Sequence, residues 1–375
     1  MKSSFEKSIL CIEQIDIENG SIGGIFPFAT GLAKHSPGKF FTFVGLTSDK
    51  ERKLGDDYRV MIDQVEVRFI PVGRFSSGRK IIPNFLKIFF GIIYYKRKIP
   101  NFEIHVHRIE LAVVARIILG RIRVLFIHNS LTNITGPNSD SFWRFFPTVF
   151  KFLERFALNC SEKVIVVPES DFSRISRIHN NVIRTFTWYD EELFQIKNLE
   201  NMEKQKLNFV WIGRLERQKN PKQIIAIANA LSELSIEFQI IIVGSGSLQK
   251  ELEREINVHG LHKRVLLAGF IPRKELFRFL ENSRAALMTS HYEGSSIVLK
   301  EILATGTPII ANRESDPDKL IEHGKNGFIV DLEDAKSYSH YLLEYETCSP
   351  SYSHNSVKSF QSKEVIANLI GKIFS

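Results

Sequence analysis

The chain has 375 residues, of which 43% are hydrophobic and 25% charged, and its formal net charge is +8. These proportions are those of an ordinary globular protein and exclude a disordered chain. The length predicts two domains, because a single hydrophobic core stops growing at about 250–300 residues. No apolar run approaches the ~20 residues that a membrane-spanning helix needs.

The start of the chain and the cysteines bear on the cellular compartment. SILCI is too short for the core of a signal peptide, so we expect the mature chain to begin inside the cell. Cys11, Cys160 and Cys348 are widely separated and lack metal-binding spacing. We interpret them as reduced, structural thiols of a cytoplasmic protein.

The positive charge is concentrated in the first half of the chain. Residues 1–200 carry 28 Lys and Arg against 21 Asp and Glu, whereas residues 201–375 carry 22 against 21. Within residues 79–98, basic and aromatic side chains interleave. Three interpretations stay open: an anionic membrane surface, nucleic acid, or a buried helix with a solvated basic rim. No nucleic-acid motif accompanies the charge, so the membrane is preferred to nucleic acid as a partner.

The first half alternates strand-like and helix-like stretches, which predicts an α/β domain built on a parallel sheet. The predicted strands are SILCIEQI, KFFTFVGL, QVEVRFIPV, FEIHVHRI, RVLFIHNS and KVIVVPES. The predicted helices include FPFATGLAKH and FWRFFPTVFKFLERFAL.

A second alternating series follows the charged segment QIKNLENMEKQKL, which we interpret as a linker. Its predicted strands are NFVWIG, EFQIIIVG, RVLLAG, AALMTS, PIIAN and GFIVD. Its predicted helices are PKQIIAIANALSEL, SLQKELEREINVHG, RKELFRFLENS and SIVLKEILATG. We therefore predict two Rossmann-like, doubly wound domains, at 1–195 and 206–350, facing each other across a cleft. Residues 351–375 are predicted to end in a helix that packs back toward the N-terminal domain.

Two cations follow the first strand of the second domain, in WIGRLERQKNP. Arg214 and Lys219 lie between the end of this strand and the next helix, where they can neutralise a diphosphate. A solvated basic loop is the alternative. The balance shifts toward a phosphate site because a second polar loop, HYEGSS, ends a later strand at the same edge of the sheet.

The second loop leads into the helix of HYEGSSIVLKE. Ser295 or Ser296 can cap this helix, whose first N–H groups then face an anion. Gly294 lets the backbone approach a ligand closely. Glu293 and Glu301 suit the hydroxyl groups of a sugar and a ribose. The alternative is a surface loop glutamate and an unremarkable helix glutamate.

Two glycine pairs are weaker signals. Gly23 and Gly24 precede a predicted helix and resemble a phosphate loop, but their spacing matches no phosphate-loop motif. Gly244 and Gly246 supply half of a dinucleotide fingerprint, and Gln249 occupies the position of its third glycine. We interpret the second pair as a tight turn.

Several acidic and histidine residues suggest a metal or a catalytic base. Asp316-Pro317-Asp318 has the spacing of a metal-binding DxD, but we interpret it as a turn because no buried strand precedes it. His105 and His107 share one face of a strand without a third ligand. His128 ends an apolar strand at the expected cleft, and a catalytic and a core histidine remain equal alternatives.

Together these segments resemble the retaining glycosyltransferases of family 4 (glycosyl transferases group 1), which have the GT-B fold. WIGRLERQKNP is similar to the family's strand–Gly-Arg–loop–Lys motif, and EGSSIVLKEILATGTPIIA to its E-x7-E motif and Gly-Thr-Pro tail. GKNGFIV and IRTFTWYDEELF resemble two further family segments. The resemblance covers roughly residues 205–335, and the first domain shares only its architecture, Gly23–Gly24 and the histidine-ended strand.

The resemblance implies a role for each matching residue. Arg214 and Lys219 would neutralise the donor diphosphate, and Glu293 would contact the donor sugar. Glu301 would contact the ribose, and His128 would lie beside the reacting centre. The complete implied donor site comprises Gly23, Gly24, Arg214, Lys219, Gly294, Ser295, Ser296, Ile297 and Glu301. Two departures concern the acceptor: Ile25-Phe26-Pro27 replaces an acidic position, and Lys300 replaces an apolar one.

The implied function is a metal-independent, retaining hexosyltransferase that takes a UDP- or GDP-sugar and needs no cofactor. Its acceptor would be a glycan or a lipid-linked intermediate in bacterial-type surface polysaccharide synthesis. We expect it at the cytoplasmic face of the membrane, held there by residues 79–98. Two alternatives remain: a non-catalytic partner subunit that binds a nucleotide or glycan, and an NAD-dependent oxidoreductase suggested only by Gly244 and Gly246.

Overall fold

The structure is a computed structural model that describes residues 8–14, 16–17, 24–36, 38–62, 65–75, 83–196 and 207–374. Gly23, residues 79–82 of the basic segment and most of the expected linker lie outside the described residues. The chain forms two compact units. Unit 1 comprises Met1–Thr135, Phe145–Phe186 and Lys363–Ser375, and unit 2 comprises Gly136–Arg144 and Thr187–Ser362.

Unit 1 is a sheet with helices. Its strands are β1 (Ser8–Ile12), β2 (Phe40–Thr47), β3 (Tyr58–Ile62), β4 (Val65–Arg74), β5 (Glu103–Val106), β6 (Ile122–Ile127), β7 (Ser161–Val166) and β8 (Val182–Arg184). Its helices are α1 (Ile25–Lys34), α2 (Asn84–Tyr95), α3 (Ile109–Ile118), α4 (Leu131–Thr135), α5 (Pro147–Asn159), α6 (Glu169–Ile175) and, from the end of the chain, α13 (Ser362–Phe374).

The described strands of unit 1 form an eight-stranded sheet in the order β3-β4-β2-β1-β5-β6-β7-β8. All pairs are parallel except β3 with β4. All five side chains of β1 are buried, as expected for an interior strand covered on both faces. The chain runs outward from β1 to β2 on one side and later crosses from β4 to β5 on the other side, which makes the carboxyl end of β1 a topological switch point.

Unit 2 repeats this design. Its strands are β9 (Leu207–Ile212), β10 (Phe238–Val243), β11 (Val265–Gly269), β12 (Ala285–Met288), β13 (Ile309–Asn312) and β14 (Gly327–Val330). Its helices are α7 (Gln223–Glu233), α8 (Gln249–Val258), α9 (Leu276–Glu281), α10 (Ile297–Ala304), α11 (Ala335–Leu343) and α12 (Pro350–Ser356).

The described strands of unit 2 run in the order β11-β10-β9-β12-β13-β14, and all their pairs are parallel. Successive side chains of β9 enter opposite cores, since a strand alternates its faces. Phe209 and Trp211 belong to one buried cluster with helices α7 and α8, whereas Val210 belongs to another with α10. The sheet is therefore covered on both faces, which is the predicted α/β arrangement.

The predicted strands are all present, and the structure adds two that sequence analysis missed. In β3, Arg59 and Met61 are exposed and the strand pairs antiparallel at the sheet edge, so it lacks the continuous apolar run of an interior strand. The other, β8, has only three residues. Both are too short or too polar for a pattern based on buried parallel strands to detect.

The boundaries of the units differ from the predicted division at residue 195. Residues 136–144 and 187–195 group with unit 2, and residues 363–375 group with unit 1. The reason is local bonding: the N–H of Gln218 donates to Asp140 at 3.2 Å, and the N–H of Tyr189 donates to the carbonyl of Phe360 at 3.1 Å. Among the described residues, no helix is long and apolar enough to cross a membrane.

Candidate active site

The candidate site of unit 2 lies where β9 and β12 are paired, with Phe209 opposite Ala285 and Trp211 opposite Leu287. The chain continues from β9 to β10 on one side, while β12 occupies the other side. The loops after β9 and β12 therefore emerge next to each other at a topological switch point, where open α/β sheets bind ligands. Arg214 and Lys219 lie on the first loop, and Glu293 lies on the second.

Gln218 joins the two loops. Its side-chain carbonyl accepts a hydrogen bond from Arg214 Nη2 at 2.6 Å, and its Nε2 donates to the carbonyl of Tyr292 at 3.1 Å. Its backbone carbonyl accepts from the N–H of His291 at 2.8 Å. The Gln218 side chain is almost fully buried, so these bonds fix the position of the Arg214 guanidinium.

Thr289 fixes the backbone around Lys219. The Thr289 hydroxyl lies 3.0 Å from the carbonyl oxygens of both Lys219 and Asn220, to which it can donate, and it accepts from Trp211 Nε1 at 3.0 Å. Asn220 adopts a left-handed conformation with φ of 46°, which turns the chain into α7. Lys219 therefore projects from a backbone that β9 and β12 hold together.

Lys219 and Glu293 form an ion pair through Nζ and Oε1. Their side chains are only 15% and 7% exposed, so the pair lies in a largely water-excluded position. The hydroxyl of Ser290 donates to the same carboxylate oxygen at 2.7 Å. The structure thus brings together two residues that sequence analysis assigned to the diphosphate and to the sugar.

Helix α10 starts directly after the loop that carries Glu293. The Ser296 hydroxyl accepts a hydrogen bond from the N–H of Leu299 at 3.3 Å, so Ser296 is the N-cap, and Ile297 is the first helical residue. Gly294, in the loop before the helix, is buried. Ser295, the other predicted cap, does not cap the helix because its hydroxyl donates to Asp318 at 2.5 Å.

Lys300 is fully buried, and it lies within a polar cluster beneath the loop. Its ammonium donates to Asp318 at 2.6 Å, to Ser295 at 2.9 Å and to Thr187 at 3.1 Å. Burial lowers the pKa of Lys300 from its ordinary value, and the carboxylate of Asp318 opposes that shift. Lys300, which departs from the family pattern, therefore links Ser295 of the HYEGSS loop to Asp318 and Thr187.

The carboxylates of the predicted turn at 316–318 have protein partners. Asp316 accepts from the N–H groups of Leu320 at 2.9 Å and Ile321 at 2.8 Å, and Asp318 binds Lys300. Within the described part of the chain, no group of three or more His, Cys, Asp or Glu is arranged to hold a metal ion. The absence of a metal from the reaction remains a prediction.

Glu301 is 3% exposed and pairs with Arg273 Nε at 2.5 Å. Burial raises the pKa of Glu301, and the guanidinium of Arg273 opposes that shift. The carboxylate predicted to bind a ribose is therefore already oriented by a cation that sequence analysis did not single out.

Unit 1 has its own polar cluster at the carboxyl ends of β5 and β6. His107 Nδ1 lies 2.9 Å from His128 Nε2, the two rings are stacked, and the edge of Phe28 contacts the His128 ring at a centroid distance of 4.7 Å. Burial, with a contribution from Arg108, lowers the pKa of His128 to about 3. His128 is therefore neutral at pH 7, and its ring is hydrogen-bonded to the ring of His107.

The remaining predicted residues of unit 1 are placed separately. Gly24 is exposed and immediately precedes α1, with a helical φ of −72°. His105 is buried and stacks on Phe374 at the end of the chain, so it does not join His107 and His128 in one site. At the end of β1, Glu13 pairs with Arg108 at 2.6 Å.

Residues 191–359 match a family model described as Glycosyl transferases group 1. This match spans a little under half of the chain. All the unit 2 residues proposed from the sequence, from Arg214 to Glu301, lie within this match.

Curated proteins show the same relationship. An alpha-D-kanosaminyltransferase of Streptomyces kanamyceticus is 24% identical over 225 residues, which are 57% of this chain and 58% of that protein. A UDP-Gal:alpha-D-GlcNAc-diphosphoundecaprenol alpha-1,3-galactosyltransferase of Escherichia coli is 26% identical over 210 residues, 52% of this chain and 54% of that protein. The chain thus matches a little over half the length of these relatives.

Solved structures extend the likeness to both units. HepE of Anabaena, in a structure with UDP and glucose, has a TM-score of 0.72 at 16% identity, over 98% of this chain and 99% of that one. At this identity the likeness concerns the fold alone. It confirms the predicted GT-B fold class.

Within unit 2, sequence analysis missed the residues that orient the expected ones: Asp140, Gln218, Arg273, Thr289, Ser290 and Asp318. Gln218 lies inside the quoted WIGRLERQKNP motif, and its position between Arg214 and Lys219 was the available signal. Asp140 is far away in the sequence and carried no signal, because only the fold brings it to Gln218.

Proposed function

We propose that this protein is a retaining, metal-independent glycosyltransferase that transfers a hexosyl group from a UDP-sugar to a glycan or lipid-linked acceptor of a bacterial-type surface polysaccharide. The observation that carries the proposal is the meeting of Lys219 with Glu293, beside Arg214, at the switch point of unit 2. UDP and the acceptor class take support from the name of the Escherichia coli relative, and UDP also from the HepE complex.

The leaving group sets the main requirement. A nucleoside diphosphate departs while positive charge develops at the sugar carbon, so groups that are held in place beforehand give the largest acceleration. Gln218 holds the Arg214 guanidinium, and Thr289 holds the backbone of Lys219. The first turn of α10 adds the partial positive charge of a helix N-terminus.

The sugar and ribose contacts follow from the two glutamates. Ser290 and Lys219 hold Oε1 of Glu293, and its second oxygen would accept a hydrogen bond from a sugar hydroxyl. Glu301, oriented by Arg273, would accept one from the ribose. Retention would proceed by front-face attack of the acceptor without a protein nucleophile, and His128 would lie beside the reacting centre as a neutral hydrogen-bonding group.

The oxidoreductase alternative loses its only motif. A Cβ atom at Gly244 would lie 1.8 Å from the carbonyl oxygen of Gly213, and one at Gly246 would lie 2.4 Å from that of Leu215. Both glycines thus have a structural reason, since they let the loop after β10 pack against the loop that carries Arg214. The other candidate residues of unit 2, namely Arg214, Lys219, Glu293 and Glu301, suit a sugar nucleotide.

The first test is nucleotide binding. Thermal unfolding is measured with UDP, GDP, ADP and NAD, in the presence of a chelator, on the natural protein and on Lys219→Ala. We expect UDP to stabilise the natural protein by roughly 2.7 kcal/mol at 100 times its dissociation constant, and Lys219→Ala to lose most of this effect.

Lys222→Ala is the matched control, because Lys222 is half-exposed and pairs with Glu251 rather than with Glu293. Arg214→Ala tests the second cation without leaving Glu293 unpaired. Stabilisation by NAD alone, or UDP binding that needs a divalent metal, would contradict the proposal. If UDP binds, incubation with UDP-sugars and lipid-linked acceptors identifies the donor, and the anomeric configuration of the product tests retention.

A further inference from the structure

Three helices of unit 1 lie side by side. Helix α3 contacts both α2 and α5, and the three pack on strands β4, β5, β6 and β7. The connections β4–α2–β5, β5–α3–β6 and β6–α5–β7 all advance in the same direction across the sheet. Right-handed crossovers therefore place these three helices in one layer on one face of the sheet.

The outer side of this layer is apolar and aromatic. On α5, Val149, Phe152 and Phe156 follow helical spacing, and their exposed fractions are 51%, 79% and 41%. On α2, Phe90 and Tyr94 are 63% and 81% exposed. Ile117 of α3 is exposed as well. We call these six residues, with the outer surfaces of their helices, the α2–α3–α5 face.

The charges on this face have one sign. Lys151 and Arg155 of α5 and Arg116 of α3 are exposed, and Lys96 and Arg97 directly follow α2. The sequences of the three helices contain two carboxylates, Glu110 and Glu154.

Neither carboxylate belongs to the exposed surface. Glu154 is buried, and its two oxygens accept hydrogen bonds from Arg174 at 2.6 and 2.8 Å. Glu110 is half-buried and accepts from Gln14 at 3.0 Å. The described surface of the three helices thus combines aromatic rings and cations, with its acids turned away.

We infer that the α2–α3–α5 face docks on an anionic lipid bilayer. Anionic lipids attract each nearby Lys or Arg, while aromatic and branched side chains enter the boundary between headgroups and acyl chains. The apolar side chains are distributed over three neighbouring helices with cations beside them, which matches a flat, charged interface. The biological purpose of this docking rests on the proposed function, because a lipid-linked acceptor would be held in that bilayer.

The test is co-sedimentation of the full chain with phosphatidylcholine vesicles, with and without phosphatidylglycerol. We expect binding only to the anionic vesicles. We expect two double variants of α5 to weaken vesicle binding about tenfold or more: Phe152→Ser/Phe156→Ser and Lys151→Gln/Arg155→Gln. Each cation near the surface contributes on the order of 1 kcal/mol. Val258→Ser/Phe270→Ser is the control, because these side chains are 73% and 51% exposed on unit 2.

Three results of these experiments would overturn the inference. Equal binding to both vesicle types, or unchanged binding by both α5 variants, would overturn the inference. Concentration-dependent self-association without lipid, lost in Phe152→Ser/Phe156→Ser, would assign the face to a second copy of this chain and would also overturn it. UDP stabilisation measured on the same samples reports on the proposed function, so failure of either idea leaves the other measurable.

Discussion

At the scale of single residues, unit 2 depends on buried charges with fixed partners. Lys300 and Glu301 are adjacent on α10, yet Lys300 binds Asp318 whereas Glu301 binds Arg273. Removing an ion from water costs several kcal/mol even after relaxation. The pairs and their hydrogen bonds offset this cost only while both partners are present.

The Lys300–Asp318 pair gives a prediction about stability. Lys300→Met should lower the free energy of unfolding by about 3–5 kcal/mol, because it leaves the buried Asp318 carboxylate without its cation. Lys300→Met/Asp318→Asn should recover much of this loss, since neither ion then remains. Chemical denaturation measures both; equal losses in the single and double variants would show that the ion pair is not the cause.

The sequence identified Lys300 as a departure from the family pattern that it resembles, but it did not indicate the partner of Lys300. Asp318 belonged to a pattern that we interpreted as a turn, and Thr187 lay in IRTFTWYDEELF, where it was given no role. All three meet at Ser295, whose hydroxyl is engaged beneath the loop. A role of this kind depends on distance in space, which a single sequence does not encode.

At the scale of elements, the site depends on close contact between the loops after β9 and β10. Gly244 has φ of 142°, and a Cβ atom placed there would lie 1.8 Å from the carbonyl oxygen of Gly213. The loop after β9 continues into Arg214 and Lys219. A side chain at Gly244 would therefore displace the residues that are proposed to bind the diphosphate.

Gly244→Ala tests this contact. We expect it to destabilise the protein by about 1–3 kcal/mol through strain and displacement, and to weaken UDP stabilisation. Gly260→Ala is the matched control, because Gly260 also has positive φ but no atom lies within 4 Å of a Cβ placed there. Loss of stability without loss of UDP binding in Gly244→Ala would show that the contact does not position the donor loop.

At the scale of the whole molecule, each unit is assembled from separate parts of the chain. Helix α13, from the end of the sequence, completes unit 1: Ile366, Leu369 and Ile373 are buried there. Lys163 of β7 donates to the carbonyl oxygens of Lys372 at 3.0 Å and Ile373 at 2.8 Å. Conversely, Asp140 reaches Gln218 from a segment inserted into the sequence of unit 1.

Leu369→Ala should consequently destabilise unit 1 by about 2–5 kcal/mol, because it leaves a cavity in a closed core. Hydrogen exchange followed by peptide mass analysis should show faster exchange in unit 1 peptides. Leu252→Ala, at a fully buried position of α8, should act on unit 2 peptides instead. Equal acceleration in both units for either variant would contradict the division of the chain.

The sequence by itself determined the α/β class, the order of nearly all strands and helices, the placement of Arg214, Lys219 and Glu293 in loops after strands, and that of Glu301 within a helix. These properties follow from periodicity and from motifs of neighbouring residues. The sequence also singled out the basic and aromatic segment 79–98, part of which forms α2, but not the exposed aromatic rings of α5. A helical pattern of apolar residues does not show which side of the helix packs on the sheet and which side stays exposed.

Only the tertiary structure decided which charges meet. Lys219 and Glu293 are separated by 74 positions, Arg273 and Glu301 by 28, and Lys300 and Asp318 by 18. The pairing of Lys219 with Glu293 depends on the order of strands in the sheet, which places the loops after β9 and β12 next to each other. Strand order is set by long-range packing and crossover handedness, so it lies beyond any local pattern of residues.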